Sequence, residues 1–165
     1  MDRTGSSQPV ATRPVSVERT SEREVVVRRT FDAPARLIFK AWTTPELFRQ
    51  WWLPQSMSAR LRSFDMDART GGSYRLDFGD GMAFYGTYQE VTPHTRIVWT
   101  NDEAGESGGS VTTVVLQERD GVTHLVLTEM FPSREALEQG DGALDALHET
   151  FVQLDELLAQ LRGQL

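Results

Sequence analysis

The three histidines, His94, His124 and His148, are the natural first candidates for proton transfer, because imidazole titrates near neutral pH. His94 follows Pro93 in a turn signal, and His124 alternates against Leu125 and Leu127, so both are expected to face solvent. His148 sits beside Leu147 and Phe151 on an apolar stripe, where its tip could reach an interior. Asp67 and Arg69 lie two apart on one strand face. An arginine fork suits a carboxylate or phosphate, but the simpler expectation is an ion pair steadying the Gly71-Gly72 turn. Glu129 lies late on the last strand and becomes a candidate acid if buried, since a buried carboxylate needs partners or a shifted pKa.

No stronger chemistry is written in the chain. There is no HExxH or paired histidine–carboxylate spacing for a metal, no GxSxG elbow, no Walker loop and no GxGxxG after a strand. Cysteine is absent, which excludes disulfides, thiolate sites and cysteine nucleophiles. No metal, no cofactor and no catalytic residue are therefore expected. One positioned acid or arginine acting with water would leave no such motif, so an enzyme is not excluded.

The elements that would position these groups begin with a strand from Glu24 to Phe31. Phe31 to Pro54 then encodes two short helices. Leu37, Ile38, Ala41 and Trp42, and again Leu47, Phe48, Trp51 and Trp52, repeat at i, i+1, i+4, i+5 and so share one helical face. Thr44-Pro45 reads as an N-cap followed by proline at the first helical position. Helices this short need a larger surface to pack on. Strands are expected within Ser56–Arg69 (its second half), Ser73–Phe78, Met82–Val91, Arg96–Asn101, Ser110–Glu118 and Val122–Met130. Turns fall at Gly79-Asp80-Gly81 and Asp120-Gly121, and a polar loop at Glu103–Gly109. Consecutive hairpins imply an antiparallel meander with one face hidden.

After a short segment at Pro132-Ser133, Leu144, Leu147, Phe151, Leu154, Leu158 and Leu161 mark a long helix whose stripe is expected to cover the sheet. Residues 1–22 lack periodicity and are expected to be a disordered polar tail before a single domain at 23–163. A net charge of −7 argues against a nucleic-acid binder. No apolar run spans a membrane, and the first 23 residues lack a signal-peptide core, so the expected location is cytoplasmic.

A curved antiparallel sheet wrapped around a long C-terminal helix, with two short helices after the first strand, is an α+β helix-grip arrangement. Phe31-Asp32-Ala33-Pro34, Ile38 to Thr43, Pro45-Glu46 and Trp51-Trp52-Leu53-Pro54 resemble the opening of the activator of heat-shock-protein-90 ATPase homologue-like family, within the START/Bet v 1-like (SRPBCC) superfamily. Asp67 to Arg75, with its double glycine, resembles the family's second signature, and Gly86-Thr87-Tyr88, Val91-Thr92-Pro93 and Leu125 to Thr128 resemble later segments. One departure is Leu53, where the family usually carries glycine. The resemblance implies a deep cavity between sheet and helix that takes apolar or amphipathic small molecules.

Residues expected to line that cavity are Trp51, Trp52, Tyr74, Phe78, Phe84, Tyr88, Trp99, Leu147, His148 and Phe151. The aromatics on adjacent strands suit a pocket or a core equally. Being successive, Trp51 and Trp52 cannot share one direction: one is expected to anchor its helix and the other to line the mouth, unless both are simply packing. Binding of an apolar or amphipathic small molecule is the leading functional expectation. A cyclase- or hydratase-type enzyme using His148, Glu129 or Arg69 is the alternative. A co-chaperone role ranks lower, since only about 22 residues precede the fold. A homodimer through a sheet edge or exposed aromatics is a further possibility.

Overall fold

A computed structural model describes residues 15–102, 109–139 and 141–163, the side chains of 141–145 aside. The expected loop at Glu103–Gly109 lies almost entirely outside the described residues. Eight strands form one sheet: β1 (Ser16–Arg19), β2 (Glu24–Phe31), β3 (Ser63–Met66), β4 (Ser73–Gly79), β5 (Met82–Thr92), β6 (Arg96–Asn101), β7 (Ser110–Arg119) and β8 (Val122–Met130). Their order is β1-β2-β8-β7-β6-β5-β4-β3, and every pairing is antiparallel. The meander from β3 to β8 is thus closed by β2, which returns to pair with the last strand.

β1 corrects the last part of the expected tail, whose residues 1–14 lie outside the described residues. Ser16 to Arg19 pair with Arg28 to Val25 as an edge strand, although all four residues are exposed. Backbone pairing holds them, so no apolar alternation marks them. Positive φ angles at Gly79, Asp80 and Gly81 (83°, 55° and 79°) reverse the chain between β4 and β5. Register shifts at Asp77/Gly79 and Tyr88/Glu90 add the local bends that curve a sheet.

Between β2 and β3 lie α1 (Ala35–Thr43), α2 (Pro45–Trp51) and a further turn not expected from the sequence, α3 (Gln55–Ser58). Two strand groups pin them. Glu118 Oε1 accepts the Ala35 N–H at 2.8 Å, placing an acid at the first turn of α1, where Pro34 offers no side-chain cap. Thr123 Oγ1 donates to the Ala33 carbonyl at 2.7 Å. Thr44 occupies the N-cap position of α2 with extended backbone, but its hydroxyl makes no capping bond; Pro45 alone sets the start.

The chain ends in α4 (Arg134–Gln139) and the long α5 (Asp141–Gly163). Phe151, Leu154, Leu158 and Leu161 of α5 are buried in one core with Val27, Phe31, Ile97, Val114, Leu125 and Leu127 of the sheet. The stripe therefore covers the concave face, and the helix-grip arrangement expected from the element order is the fold observed. Among the described residues no helix is long and apolar enough to cross a membrane.

Candidate functional site

Alternation along each strand decides which residues meet α5, and register decides which of them form a row across the sheet. One row runs Tyr88 (β5), Trp99 (β6), Thr112 (β7), Glu129 (β8), and the next pairs Asn101 with Ser110. Opposite them stand Ala146, Leu147 and Thr150, and the space left between is a cavity of about 370 Å³. Trp42, Phe48, Trp52, Leu53, Pro54 and Met57 of the helical segment close one side, and Tyr74, Leu76 and Phe84 another.

Six residues expected from the sequence line this space: Trp52, Tyr74, Phe84, Tyr88, Trp99 and Leu147. Four do not. Trp51 is fully buried and edge-on to Trp42 at 4.7 Å. Its indole N–H donates to the Ala41 carbonyl at 3.0 Å. That carbonyl would otherwise look one turn ahead to residue 45, a proline with no N–H, so the tryptophan supplies the donor that Pro45 lacks. Phe151 is fully buried against Phe31 at 5.4 Å, one turn beyond the cavity. Phe78 lies two residues beyond Leu76, toward the β4–β5 turn, in a small cluster with Leu53 and Leu76 and edge-on to Phe84. His148 is exposed, about 100° around the helix from Leu147.

Trp52 is the wall that its neighbour is not. It stacks on Phe48 at 5.2 Å and meets Trp99 edge-on at 5.9 Å. Gln153 of α5 fixes the backbone on both sides of it, donating to the carbonyls of Trp51 at 2.9 Å and Leu53 at 2.8 Å. Leu53 has ordinary backbone, absent from the positive-φ residues, and a side chain 4% exposed. An apolar side chain here fills the end of the cavity. Trp42 also faces the cavity, and its Nε1 is buried without a hydrogen-bond partner among the described residues.

The polar side of the cavity is a connected network. Trp99 Nε1 donates to Asn101 Oδ1 at 3.2 Å, which the Tyr74 hydroxyl also approaches at 3.0 Å while lying 2.8 Å from the Thr100 carbonyl. Because an indole N–H can only donate, it fixes the orientation of the Asn101 amide. Asn101 Nδ2 then donates to Ser110 Oγ and Thr112 Oγ1, both at 2.9 Å. Ser110 Oγ donates to Glu129 Oε2 at 2.6 Å, a length suited to a charged acceptor. Burial, and then the charge of Asp67, push the Tyr88 phenol well above its ordinary range.

Glu129 thus belongs to the cavity, whereas Arg69 and His148 are exposed. Arg69 pairs with Asp67 at 2.9 Å beside the double-glycine turn, as the simpler expectation had it. Asn101, Ser110 and Thr112 were not singled out in the sequence. Their one signal is position, since each continues the inward alternation of its strand past the last apolar residue. Among the described residues, no three His, Cys, Asp or Glu side chains converge to hold a metal ion.

A curved antiparallel sheet gripping a C-terminal helix over such a cavity defines a START/Bet v 1-like domain. Within that class the chain belongs to the family described as Activator of Hsp90 ATPase homolog 1-like protein, which residues 32–159 match. A Rhodobacter sphaeroides protein of known structure superposes with a TM-score of 0.75 at 21% identity, covering 90% of this chain and 99% of its own. A Staphylococcus epidermidis protein gives 0.69 at 29% identity, with 88% and 94% covered. A Mycobacterium smegmatis protein gives 0.72 at 23%, with 90% and 99% covered. No curated protein matches the sequence.

Proposed function

We propose that this protein binds an apolar or amphipathic small molecule in the cavity between the sheet and α5. The observation that carries the reading is a space of about 370 Å³, aromatic on most sides and hydrogen-bonded along one. That volume falls in the range of small-molecule pockets, roughly 300–1,000 Å³, which are mostly apolar with a few placed polar groups. Bare packing would not leave such a space, because interiors close to crystalline density.

The test is native mass spectrometry of freshly purified protein, paired with thermal shift across a panel of aromatic and lipid-like compounds. A retained compound, or a compound that raises the melting temperature, is expected. Ala146→Phe, which places a ring in the space, should abolish either effect. A protein that carries nothing and responds to nothing overturns the proposal, and equal binding by Ala146→Phe moves the site elsewhere.

Glu129 carries a second reading, catalysis of the cyclase or hydratase kind, because it is a carboxylate at the cavity wall within a hydrogen-bond chain. Chemical change of a bound compound, lost in Glu129→Gln while binding persists, is what that reading requires.

A further inference from the structure

α1 has a second face that the cavity does not use. Leu37, Ile38, Ala41 and Trp42 are buried, so Arg36, Phe39, Lys40 and Thr43, at i, i+3, i+4 and i+7, share the outward side. With Thr44, His94 of the β5–β6 turn and Leu161 of α5 they line a groove of about 450 Å³. No residue lines both this groove and the sheet–helix cavity. The ring of His94 meets that of Phe39 edge-on at 5.5 Å, which ties the turn to the helix. His94 makes that contact from a φ of 67°, a conformation that glycine adopts at less cost.

The groove has one sign. Acidic residues outnumber basic ones by 24 to 17 in the chain, yet Arg36, Lys40 and His94 line this space with no carboxylate among the described residues. Glu118 reaches the head of α1 at the Ala35 N–H and is not part of the lining. Arg36 and Lys40 form no ion pair among the described residues. At i, i+4 two like charges repel, and an anion lying between them reverses the sign of that interaction. A cleft lined by one charge also concentrates counter-ions. The donors differ in kind: a guanidinium fork, an ammonium, an imidazole N–H and the Thr44 hydroxyl, which makes no capping bond. The Thr43 hydroxyl already donates to the Phe39 carbonyl at 2.8 Å.

We propose that this groove is an anion site whose ligand is the phosphate monoester of a small organic molecule. Arg36 and Lys40 hold the phosphoryl group from α1, His94 and Thr44 donate from the sides, and the organic part lies on Phe39 and Leu161. A phosphate monoester brings nearly two negative charges and three terminal oxygens at neutral pH, enough for all of these donors. A carboxylate brings one charge and two oxygens, which the Arg36 fork takes up by itself.

Lys40 is the only lysine of the chain, so reductive methylation with carbon-13 formaldehyde labels it and the terminal amine alone, and keeps its charge. Titration with phenyl phosphate at neutral pH and low salt should shift the Lys40 signal saturably. Phenyl sulfate and benzoate, each with a single charge, should bind at least about threefold more weakly. In calorimetry Arg36→Gln should weaken phenyl phosphate by about threefold or more, the scale of an exposed ion pair, and Arg36→Gln with Lys40→Gln should abolish its binding. His94→Gly, which suits the backbone there, should weaken it as well. Arg134→Gln, on α4 and outside the groove, should change nothing. All of these side chains are exposed, so the variants should fold. An unmoved Lys40 signal, equal affinity for benzoate, or undiminished binding by the double variant overturns the inference. So does retention on vesicles containing phosphatidic acid without any response to phenyl phosphate, which would make the partner a membrane surface.

Discussion

Arg29 on the second strand and Asp155 on the last helix, 126 residues apart, form a two-pronged ion pair inside the domain. Nη1 lies 3.2 Å from Oδ1, and Nη2 lies 2.5 Å from Oδ2. The two side chains are 0% and 8% exposed. Nη1 also donates to the Thr30 carbonyl at 2.8 Å, and the guanidinium lies 4.8 Å from the centre of the Phe31 ring. The pair fixes where α5 crosses the sheet and hence where its cavity-facing turn begins. Removing one partner strands the other charge, so Asp155→Ala should cost about 3–5 kcal/mol in urea denaturation. Arg29→Met with Asp155→Leu should recover most of that loss. A cost below about 1 kcal/mol for Asp155→Ala would show that the pair does not hold the helix.

The two adjacent tryptophans should separate cleanly. Trp51→Phe deprives the Ala41 carbonyl of its donor and should destabilise the fold by roughly 1–3 kcal/mol, without altering the affinity for any cavity probe. Trp52→Leu should change probe affinity and cost less stability. Denaturation curves and probe titrations of both variants check this, and the reverse pattern would exchange their roles.

Gln153→Ala removes both donors to the carbonyls of Trp51 and Leu53. A loss of about 1–2 kcal/mol is expected, at roughly a kilocalorie per neutral hydrogen bond. Faster amide exchange should follow, concentrated around residues 51–57 rather than spread over the sheet. Uniform acceleration would mean that the glutamine supports the whole domain instead of this one segment.

Alkali should expose the buried phenol. The folded state holds the Tyr88 proton more tightly than the unfolded chain does, owing to burial and then to Asp67. Its contribution is therefore intact below the ordinary tyrosine value of about 10 and is lost as pH rises from there toward the folded value. The melting temperature of the natural protein should fall above pH about 10, and Tyr88→Phe should fall less over the same range. Tyr88 should form phenolate only on unfolding, which the difference in ultraviolet absorbance between the natural protein and Tyr88→Phe reads directly. A phenolate of Tyr88 in the folded protein near pH about 10 would contradict its burial.

Much of this architecture is legible in the sequence because most of it obeys one rule, that a half-buried element repeats its apolar residues at its own period. The helical segment, the meander and the leucine stripe all follow it, and so do the aromatics of β4 to β6 that reach the cavity. The rule fails where burial is polar. Thr112, Ser110 and Asn101 point inward but look like solvent-facing or turn residues. Arg29, alternating with valines, gives no hint that its partner is Asp155. Periodicity also says only that Trp51 and Trp52 diverge. Which of them faces the core depends on a carbonyl left without a partner by Pro45, a fact of tertiary geometry. β1 escapes notice for a related reason, since backbone pairing alone holds it.

The row-by-row change from Ile97, Val114 and Leu127 to Trp99, Thr112, Glu129, Asn101 and Ser110 bears on how such a domain can diverge. Polar residues that face the cavity, Asn101, Thr112 and Glu129, sit toward one end of strands whose other end is apolar and packed on the helix. A substitution in the Asn101 or Glu129 row also alters the wall of the cavity, so part of its effect falls on what can be accommodated. A lineage built on this plan can trade one cargo for another by a few changes at one end of three strands, while the opposite end keeps the domain closed.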